Sequence, residues 1–247
     1  MTVSPWHDIP LQVGDGVFNF VVEIPKESSA KMEAATDEPH TPIKQDTNKG
    51  KLRYYPYNIN WNYGLLPQTW EDPTVADAEV EGAFGDNDPV DVVEIGDSQR
   101  RIGEIRKVKP LAALAMIDEG ELDWKIIAIS LDDPRLLSLM TLMMLRSISR
   151  YGTLTAIRDW FRDYKIPDGK PANKFGLGNK AANKEKPTAT ESPPQQQNYS
   201  TIRMGQLSQS SSSRARISAE QKEKKARRNK EGKGELAKGN DGGSRRL

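Results

Sequence analysis

Two groups of acidic residues, set between apolar runs, restrict what this chain can fold into. The groups contain six carboxylates: Asp86, Asp88 and Asp91, then Asp118, Glu121 and Asp123. Apolar, strand-like runs follow the first group and flank the second, at residues 90–95, 111–117 and 126–129. Acids between core strands are costly unless their charge is compensated, and hard cations bind carboxylate oxygens. The pattern therefore predicts a β domain with a cation site.

The rest of the pattern favours a mainly β fold with some helix. Residues 17–24 form an apolar run with β-branched residues, and residues 51–55 resemble a further strand. Short strands and long loops between residues 24 and 129 predict an antiparallel barrel. Apolar and aromatic residues recur at helical spacing from 153 to 164, which predicts a helix packed on the barrel wall.

Residues 54–70 are dense in aromatic side chains. The segment contains six of them: Tyr54, Tyr55, Tyr57, Trp61, Tyr63 and Trp70. Interleaved Asn, Gly and Pro residues argue against a helix. Two interpretations stay open at this point: a packed loop-and-strand lid on the core, or a segment in which the Tyr63 hydroxyl faces a ligand.

Composition excludes several kinds of site. The chain of 247 residues has no cysteine, which rules out disulfides, thiolate metal sites and a cysteine nucleophile. Only His7 and His40 are present, which argues against zinc. No apolar run reaches the roughly 18 residues that a membrane span needs, and the first residues lack the apolar region of a signal peptide. We therefore expect oxygen ligands and no membrane partner.

Charge divides the chain into two parts. Residues 186–247 have a net charge of +8, whereas residues 1–185 have a net charge of −7. The basic part is rich in Ser, Gln, Pro and Gly, so we predict a disordered tail at 186–247 after a domain at 1–185. The tail's charge could contact nucleic acid or acidic surfaces, but the acidic charge of the domain argues against the barrel as a nucleic-acid binder.

The two acidic groups have the composition of a magnesium site. Asp118 and Asp123 flank a Glu-Gly turn that can fold the chain back on itself. Carboxylates that converge on one point repel and raise each other's pKa, and divalent cations remove this conflict. An oxygen-only ligand set without histidine favours Mg²⁺ over zinc or iron.

Cations in the same part of the chain indicate an anionic substrate, most simply phosphate. They are Lys31, Arg53, Lys125 and Lys165. Phosphoryl transfer uses such an arrangement, because metals clamp the attacking and leaving oxygens while Lys and Arg offset the remaining charge. A carboxylate that is not a ligand can act as a base toward water. For any single acid, a loop cap or a solvated charge is the alternative.

Eight motifs are informative as an ordered set. They are Ser4-Pro-Trp-His-Asp-Ile-Pro-Leu11, Val21-Val-Glu-Ile-Pro25, Lys49-Gly-Lys-Leu-Arg53, Asn62-Tyr-Gly64, Pro67-Gln-Thr-Trp-Glu-Asp-Pro73, Gly85-Asp-Asn-Asp-Pro-Val-Asp91, Asp118-Glu-Gly-Glu-Leu-Asp-Trp-Lys125 and Tyr164-Lys-Ile-Pro-Asp-Gly-Lys-Pro171. Together they resemble the soluble family I inorganic pyrophosphatases of eukaryotic type, over residues 4–135 and 152–185. The short link between Arg53 and Asn62 is similar to the plant plastid branch.

This resemblance implies a fold and a reaction. The fold would be a five-stranded OB-like antiparallel barrel with flanking helices. The reaction would be Mg²⁺-dependent hydrolysis of pyrophosphate to two orthophosphates by a metal-bridged water, with a carboxylate as base.

The resemblance also implies a role for each site residue. The metal ligands would be Asp86, Asp91, Asp118, Asp123 and Glu33, and Asp88 would be the base. The groups that bind the two phosphates would be Lys31, Arg53, Tyr63, Lys125, Tyr164 and Lys165. Of these, Lys31, Arg53 and Tyr63 would also take part in catalysis. Glu23 and Glu121 would support the site from behind.

Three segments depart from the family. Family members have a strand ahead of residues 4–11, and a C-terminal helix where this chain has its basic tail. Residues 136–150 are apolar where the family is acidic. Codons for such an acidic stretch, read one base late, give residues 140–150 with one difference at Thr141, so we hypothesise a compensated frameshift. The alternative function is a catalytically weak or unstable product of a frameshifted or alternatively spliced pyrophosphatase gene.

Only general expectations about assembly and cellular location follow from the sequence. The sequence is compatible with a monomer or a homodimer. Plastid members of the family carry a transit peptide, which is not seen ahead of residue 4. The expected location is the plastid stroma if a presequence exists upstream, and the cytoplasm otherwise.

Overall fold

The computed structural model describes residues 3–14, 16–136, 152–179 and 182–183, which belong to the unit Met1–Gln206. The apolar segment after Leu136, its hypothesised frameshift and the predicted tail at 186–247 lie outside the described residues. Within the described part of the chain, no helix is long and apolar enough to cross a membrane.

The described residues form many short strands and few helices. In chain order the strands are β1 (Gln12–Gly14), β2 (Val17–Ile24), β3 (Ser28–Ala30), β4 (Met32–Ala34), β5 (Ile43–Gln45), β6 (Thr47–Asn48), β7 (Lys51–Leu52), β8 (Tyr54–Ile59), β9 (Asn62–Leu65), β10 (Ala76–Asp77), β11 (Ala83–Gly85), β12 (Asp91–Glu94), β13 (Ile105–Asp118), β14 (Glu121–Ser130), β15 (Lys174–Phe175) and β16 (Ala182–Asn183). The helical elements are α1 (Thr153–Asp163), a 3₁₀ turn (Ile166–Asp168) and α2 (Gly176–Asn179).

Five of these strands close into a ring, which confirms the predicted five-stranded barrel. Its order is β12, β9, β2, β13 and β14, and β14 pairs back to β12. The antiparallel prediction needs one correction, because β12 and β14 run parallel while the other four pairings are antiparallel. A closed ring with an odd number of strands cannot alternate direction at every contact.

The long hairpin β13–β14 supplies the second acidic group. Its tip is the predicted Glu119-Gly120 turn, where both residues have positive φ, 51° and 95°. In a two-residue hairpin loop, positive φ at both residues gives the turn a twist that matches the right-handed twist of the flanking strands. Asp118 faces Glu121 across the tip, and Met116 faces Asp123 two steps below it.

Helix α1 covers one side of the barrel, as its residue spacing predicts. Its buried residues Ile157 and Phe161 pack with barrel residues that include Ile24, Val93 and Met116. Burying a Leu- or Phe-sized side chain contributes on the order of 1.5–3 kcal/mol, so this contact fixes the helix on the wall.

The aromatic segment is part of the core, which confirms the packed interpretation. It forms β8 and β9 rather than a helix, and Tyr55, Trp61 and Tyr63 are only 7–8% exposed. Tyr54 and Tyr57 point outward and are 58% and 62% exposed. The packed interpretation does not exclude the other one, in which the Tyr63 hydroxyl faces a ligand. The Tyr63 ring is buried, but its hydroxyl belongs to the group of polar side chains described in the next subsection.

Candidate active site

One lysine links two carboxylates and a tyrosine at the end of the barrel. The Lys125 amino group donates to Tyr63 Oη at 3.0 Å, to Asp123 at 2.5 Å and to the Asp91 carboxylate. The Tyr63 hydroxyl donates to the same Asp91 oxygen. Residues from three separate stretches of the sequence, Tyr63, Asp91 and the pair Asp123 and Lys125, therefore form one hydrogen-bonded group.

Strand register explains why these side chains meet. Asp91 is the direct neighbour of Lys125 across the parallel pair β12–β14. Tyr63 lies opposite Val93 on the other side, so Asp91 is its diagonal neighbour. Directly opposite and diagonal neighbours on one face of a sheet are close enough for long side chains to touch. Asp123 precedes Lys125 by two and shares its face of β14.

Lys125 is buried but keeps its charge. It is 2% exposed, and its amino group lies 5.3 Å from the Phe161 ring centre and 5.4 Å from that of Tyr63. Burial lowers the pKa of Lys125, but the carboxylates of Asp123 and Asp91 outweigh burial and raise it well above its usual value. Lys125 is therefore a buried positive charge fixed between Asp91 and Asp123.

Three carboxylates converge beside this group: Glu71, Asp86 and Asp123. Each offers an oxygen, and these oxygens lie within 4.8 Å of one another. Glu71 is buried, and its Oε1 accepts from the backbone N–H of Trp124 at 2.8 Å. Its Oε2 is buried and has no hydrogen-bond partner. A buried carboxylate oxygen without a partner is costly unless a cation is bound to it.

Crowding shifts the protonation of these acids. Burial, followed by repulsion from Asp88 and Asp91, raises the pKa of Asp86 to about 8. Burial raises the pKa of Glu71 and of Asp123 well above the usual carboxyl range, and neighbouring carboxylates add to both shifts. Without a cation, this part of the cleft retains protons at neutral pH.

Asp88 is an exposed residue in the same loop as Asp86. Desolvation within the cleft, then repulsion from Glu33 and Asp91, raises the pKa of Asp88 to about 7. Because the residue is exposed, the surrounding negative charge is the more important of these causes. Its backbone N–H donates to Asp86 Oδ1 at 3.0 Å, which fixes the loop between β11 and β12.

The cations Lys31 and Arg53 form a second network. Lys31 lies between β3 and β4 and donates to Glu33, two residues further along the chain, at 2.7 Å. Lys31 and Arg53 both donate to Asp46, to which the sequence assigned no role. Burial lowers the pKa of Lys31, but Glu33, Tyr55 and Asp46 outweigh burial and raise it.

The third group joins the hairpin tip to the segment after α1. Lys165 donates to both oxygens of Asp118 at 2.5 Å, and Lys170 pairs with Glu119 at 2.8 Å. Tyr164 ends α1, and its ring stacks on Trp160 at 5.4 Å. Two ion pairs thus hold residues 164–170 against the turn.

The sequence-predicted residues therefore fall into three contact groups. The groups are Tyr63, Asp91, Asp123 and Lys125, then Lys31, Glu33 and Arg53, then Asp118 and Lys165. Asp86 joins the first group because its carboxylate lies close to that of Asp123. Asp88 belongs with both of the first two groups, because charges from both of them shift its pKa. Glu23 is buried behind the site and accepts from the N–H of Ala34 at 2.6 Å.

Sequence reasoning missed Glu71 and Asp46. Glu71 lies within the motif at residues 67–73, so its position in that motif was the available signal. Asp46 lies in a turn-rich stretch whose residue pattern carries no such signal.

The donor set fits a hard divalent cation. The converging groups are all carboxylates, with no nitrogen or sulfur ligand among them. The orphaned oxygen of Glu71 and the raised pKa values of Asp86 and Asp123 are the properties expected where a cation compensates repulsion.

The five-stranded ring and the converging carboxylates define an OB-like barrel protein with a candidate metal centre. Sequence comparison identifies its family. The family model for inorganic pyrophosphatase matches residues 20–191. The chain belongs to the inorganic pyrophosphatase family.

Relatives agree with this assignment. Soluble inorganic pyrophosphatase 6, chloroplastic, from Arabidopsis thaliana is 77% identical over 185 residues, which cover 74% of this chain and 61% of the relative. Soluble inorganic pyrophosphatase 1, chloroplastic, from Chlamydomonas reinhardtii is 63% identical, with coverage of 74% and 65%. The structure of inorganic pyrophosphatase from Schistosoma japonicum is 46% identical with a TM-score of 0.69, covering 74% of this chain and 66% of that chain. The chain thus spans 61% and 65% of the length of the two plant and algal relatives.

Proposed function

We propose that this protein hydrolyses inorganic pyrophosphate to two orthophosphates with Mg²⁺ in its acidic cleft. The observation that carries the proposal is the convergence of an oxygen-only acidic cluster with the buried Lys125 and Tyr63 at one end of the barrel. Membership of the pyrophosphatase family supports it.

The residues proposed as metal ligands are Asp86, Asp91, Asp118, Asp123 and Glu33. Glu71 joins them because its free oxygen lies in the same cluster as Asp86 and Asp123. When bound, Mg²⁺ would neutralise these carboxylates and act as a Lewis acid on phosphate oxygens.

The chain's own residues would then carry the proton and the charge. A water oxygen forms a bond to one phosphorus while the bond from that phosphorus to the bridging oxygen breaks, and the second phosphate leaves. Asp88 would accept the proton of the attacking water. The negative charge on the two phosphates would be held by Lys31, Arg53, Tyr63, Lys125, Tyr164 and Lys165.

We propose that the reaction takes place in the plastid stroma if a presequence lies upstream of this chain, and in the cytoplasm otherwise. The chloroplastic relatives named above support this location. The assembly is proposed as a monomer or a homodimer, with pyrophosphate as the substrate.

Phosphate release from pyrophosphate tests the proposal. Purified protein should release phosphate when Mg²⁺ is added and stop when a chelator removes it. A thermal melt of the same sample checks folding. A cooperative melt without phosphate release would overturn the proposal and favour the catalytically weak alternative.

A further inference from the structure

Asp46 connects the two cations Lys31 and Arg53 in the second network. One oxygen, Oδ2, accepts from Lys31 Nζ at 3.1 Å and from the Arg53 guanidinium. The Asp46 side chain is 14% exposed, so solvent screens these contacts only in part. Two cations thus converge on a single carboxylate oxygen.

The backbone fixes this convergence. The N–H of Asp46 donates to the carbonyl of Lys31 at 2.8 Å, and the N–H of Arg53 donates to the carbonyl of Asp46 at 2.8 Å. Lys31 N–H donates to the carbonyl of Arg53 at 3.1 Å, and the Gln45 side chain donates to the same carbonyl at 2.8 Å. The three segments are tied to one another, so the two side chains leave the backbone from fixed positions.

Asp46 stays charged in this setting. Burial raises the pKa of Asp46, but Lys31 and Arg53 outweigh burial and lower it below its usual value. A carboxylate oxygen that accepts from a lysine and an arginine resembles one oxygen of a phosphate, because both are negatively charged hydrogen-bond acceptors. Asp46 therefore occupies the donors that a phosphate ligand would use.

We propose that Asp46 is a positioning residue, an internal counter-ion that holds Lys31 and Arg53 ready for phosphate and competes with bound phosphate for them. The inference rests on the proposed function, which assigns both cations to phosphate binding. Competition weakens the hold on the phosphate product and so promotes its release. Interactions that bind product as tightly as the transition state slow turnover rather than speed it.

Asp46→Asn tests the proposal through the sign of its effect. Asparagine keeps an acceptor oxygen but loses the competing charge. With Mg²⁺ present, inorganic phosphate should bind the variant about two- to fivefold more tightly, the size expected for a partly exposed charge pair. KM for pyrophosphate and kcat should both fall, because product leaves more slowly. Calorimetric titration with phosphate and steady-state assays measure these changes.

Asp132→Asn is the matched control. Asp132 also connects two cations, accepting from Arg100 at 2.8 Å and Arg106 at 2.6 Å. It follows the far end of β14, and the strand spans about 23 Å from Asp123 to its last residue, Ser130. Phosphate affinity, KM and kcat should be unchanged in this variant.

A purely structural role for Asp46 predicts the opposite sign. Loss of a structural ion pair would loosen the two cations, so phosphate would bind more weakly and KM would rise. That result, or an unchanged phosphate affinity, overturns the proposal. Asp46→Ser, which is also neutral and keeps an oxygen, should shift phosphate affinity in the same direction as Asp46→Asn and replaces it if that variant does not fold.

The proposed function and the role of Asp46 fail separately. If the unaltered protein releases no phosphate from pyrophosphate, the proposed function is wrong, while the phosphate titrations still decide whether Asp46 competes. If the unaltered protein is active and the titrations show no tightening, only the role of Asp46 is wrong.

Discussion

Asp88 differs from the other acids of the cleft in its hydrogen bonding. Its carboxylate makes no hydrogen bond to any residue that the structure describes, whereas Asp91, Asp118 and Asp123 each accept from a lysine. An acid that is not engaged by a cation can exchange a proton with water. With its pKa raised to about 7, Asp88 can do so near neutral pH.

Asp88→Asn should therefore lower kcat by about 10²–10⁴-fold, the usual contribution of a general base. Magnesium affinity should stay within about twofold of the unaltered protein, because Asp88 is not proposed as a ligand. Steady-state kinetics and a magnesium titration followed by thermal melting measure the two effects. Asp97→Asn, an exposed position beyond β12, is the control and should leave both unchanged. Full activity in Asp88→Asn would show that another group is the base.

Glu71→Gln separates a metal ligand from a structural acid. Burial raises the pKa of Glu71, which favours its neutral form in the metal-free protein, and glutamine is neutral, has the same shape and still accepts from Trp124. The metal-free melting temperature at pH 6 should therefore change little, while the increase produced by Mg²⁺ should shrink. A Mg²⁺-dependent increase equal to that of the unaltered protein would remove Glu71 from the ligand set.

Glu94→Gln should give the reverse pattern. Glu94 is fully buried and accepts from Gly96, Ser130 and Asn62 at 2.8–3.0 Å. An amide NH₂ would face one of these donors, so the metal-free melting temperature should fall. The increase produced by Mg²⁺ should remain, because Glu94 lies outside the acidic cluster.

At the scale of elements, the tip of the β13–β14 hairpin sets the position of Asp118 and Asp123. Gly120 has a φ of +95°, and a Cβ built there would meet nothing within 4 Å. An alanine at this position is therefore disfavoured by backbone strain rather than by a clash.

Gly120→Ala should lower the free energy of unfolding by about 1–2 kcal/mol and raise the Mg²⁺ concentration needed for activity. Urea unfolding and magnesium titrations of activity measure the two effects. Gly103→Ala is the control, because Gly103 also has positive φ, +77°, and open space around its Cβ. It should lose similar stability with no change in Mg²⁺ requirement. Equal Mg²⁺ requirements in the two variants would show that the tip does not position the ligands.

At the scale of the whole molecule, the acidic cleft makes stability depend on pH and on metal. The pKa values of Asp86 and Asp88 are raised to about 8 and about 7, against about 4 in an unfolded chain. Between these values the folded, metal-free protein binds more protons than the unfolded chain. Its stability is therefore greatest at the acid end and falls as pH rises through this window.

The metal-free melting temperature should drop between pH 5.5 and 8, on the order of 10 °C. Saturating Mg²⁺ should reduce or reverse the drop, because the cation binds the deprotonated carboxylates and so stabilises the protein more at high pH. Melting curves across this range, with chelator or with Mg²⁺, measure both trends. A metal-free stability that rises with pH in this range would contradict the crowding of unpaired acids.

Much of the fold could be predicted from local pattern. The runs at 17–24 and 126–129 became parts of β2 and β14, and helical spacing located α1 within one residue of its end. These patterns report which side of an element is buried, and that information is local. The ordered motifs indicated the candidate site residues, but they did not indicate Asp46, because its two partners come from other segments of the chain.

The sequence by itself determined the positions of the apolar runs that form most of β2, β12, β13 and β14, the position of helix α1, the oxygen-only composition of the acidic groups and the family. The tertiary structure alone decided that the barrel closes through the parallel β12–β14 pair, that Lys125 lies between Asp91 and Asp123, and that Glu71 joins Asp86. Asp91 and Lys125 are 34 positions apart in the chain. Residue periodicity does not show which residues far apart in the sequence will meet, because only strand register and ring closure bring those side chains to one point.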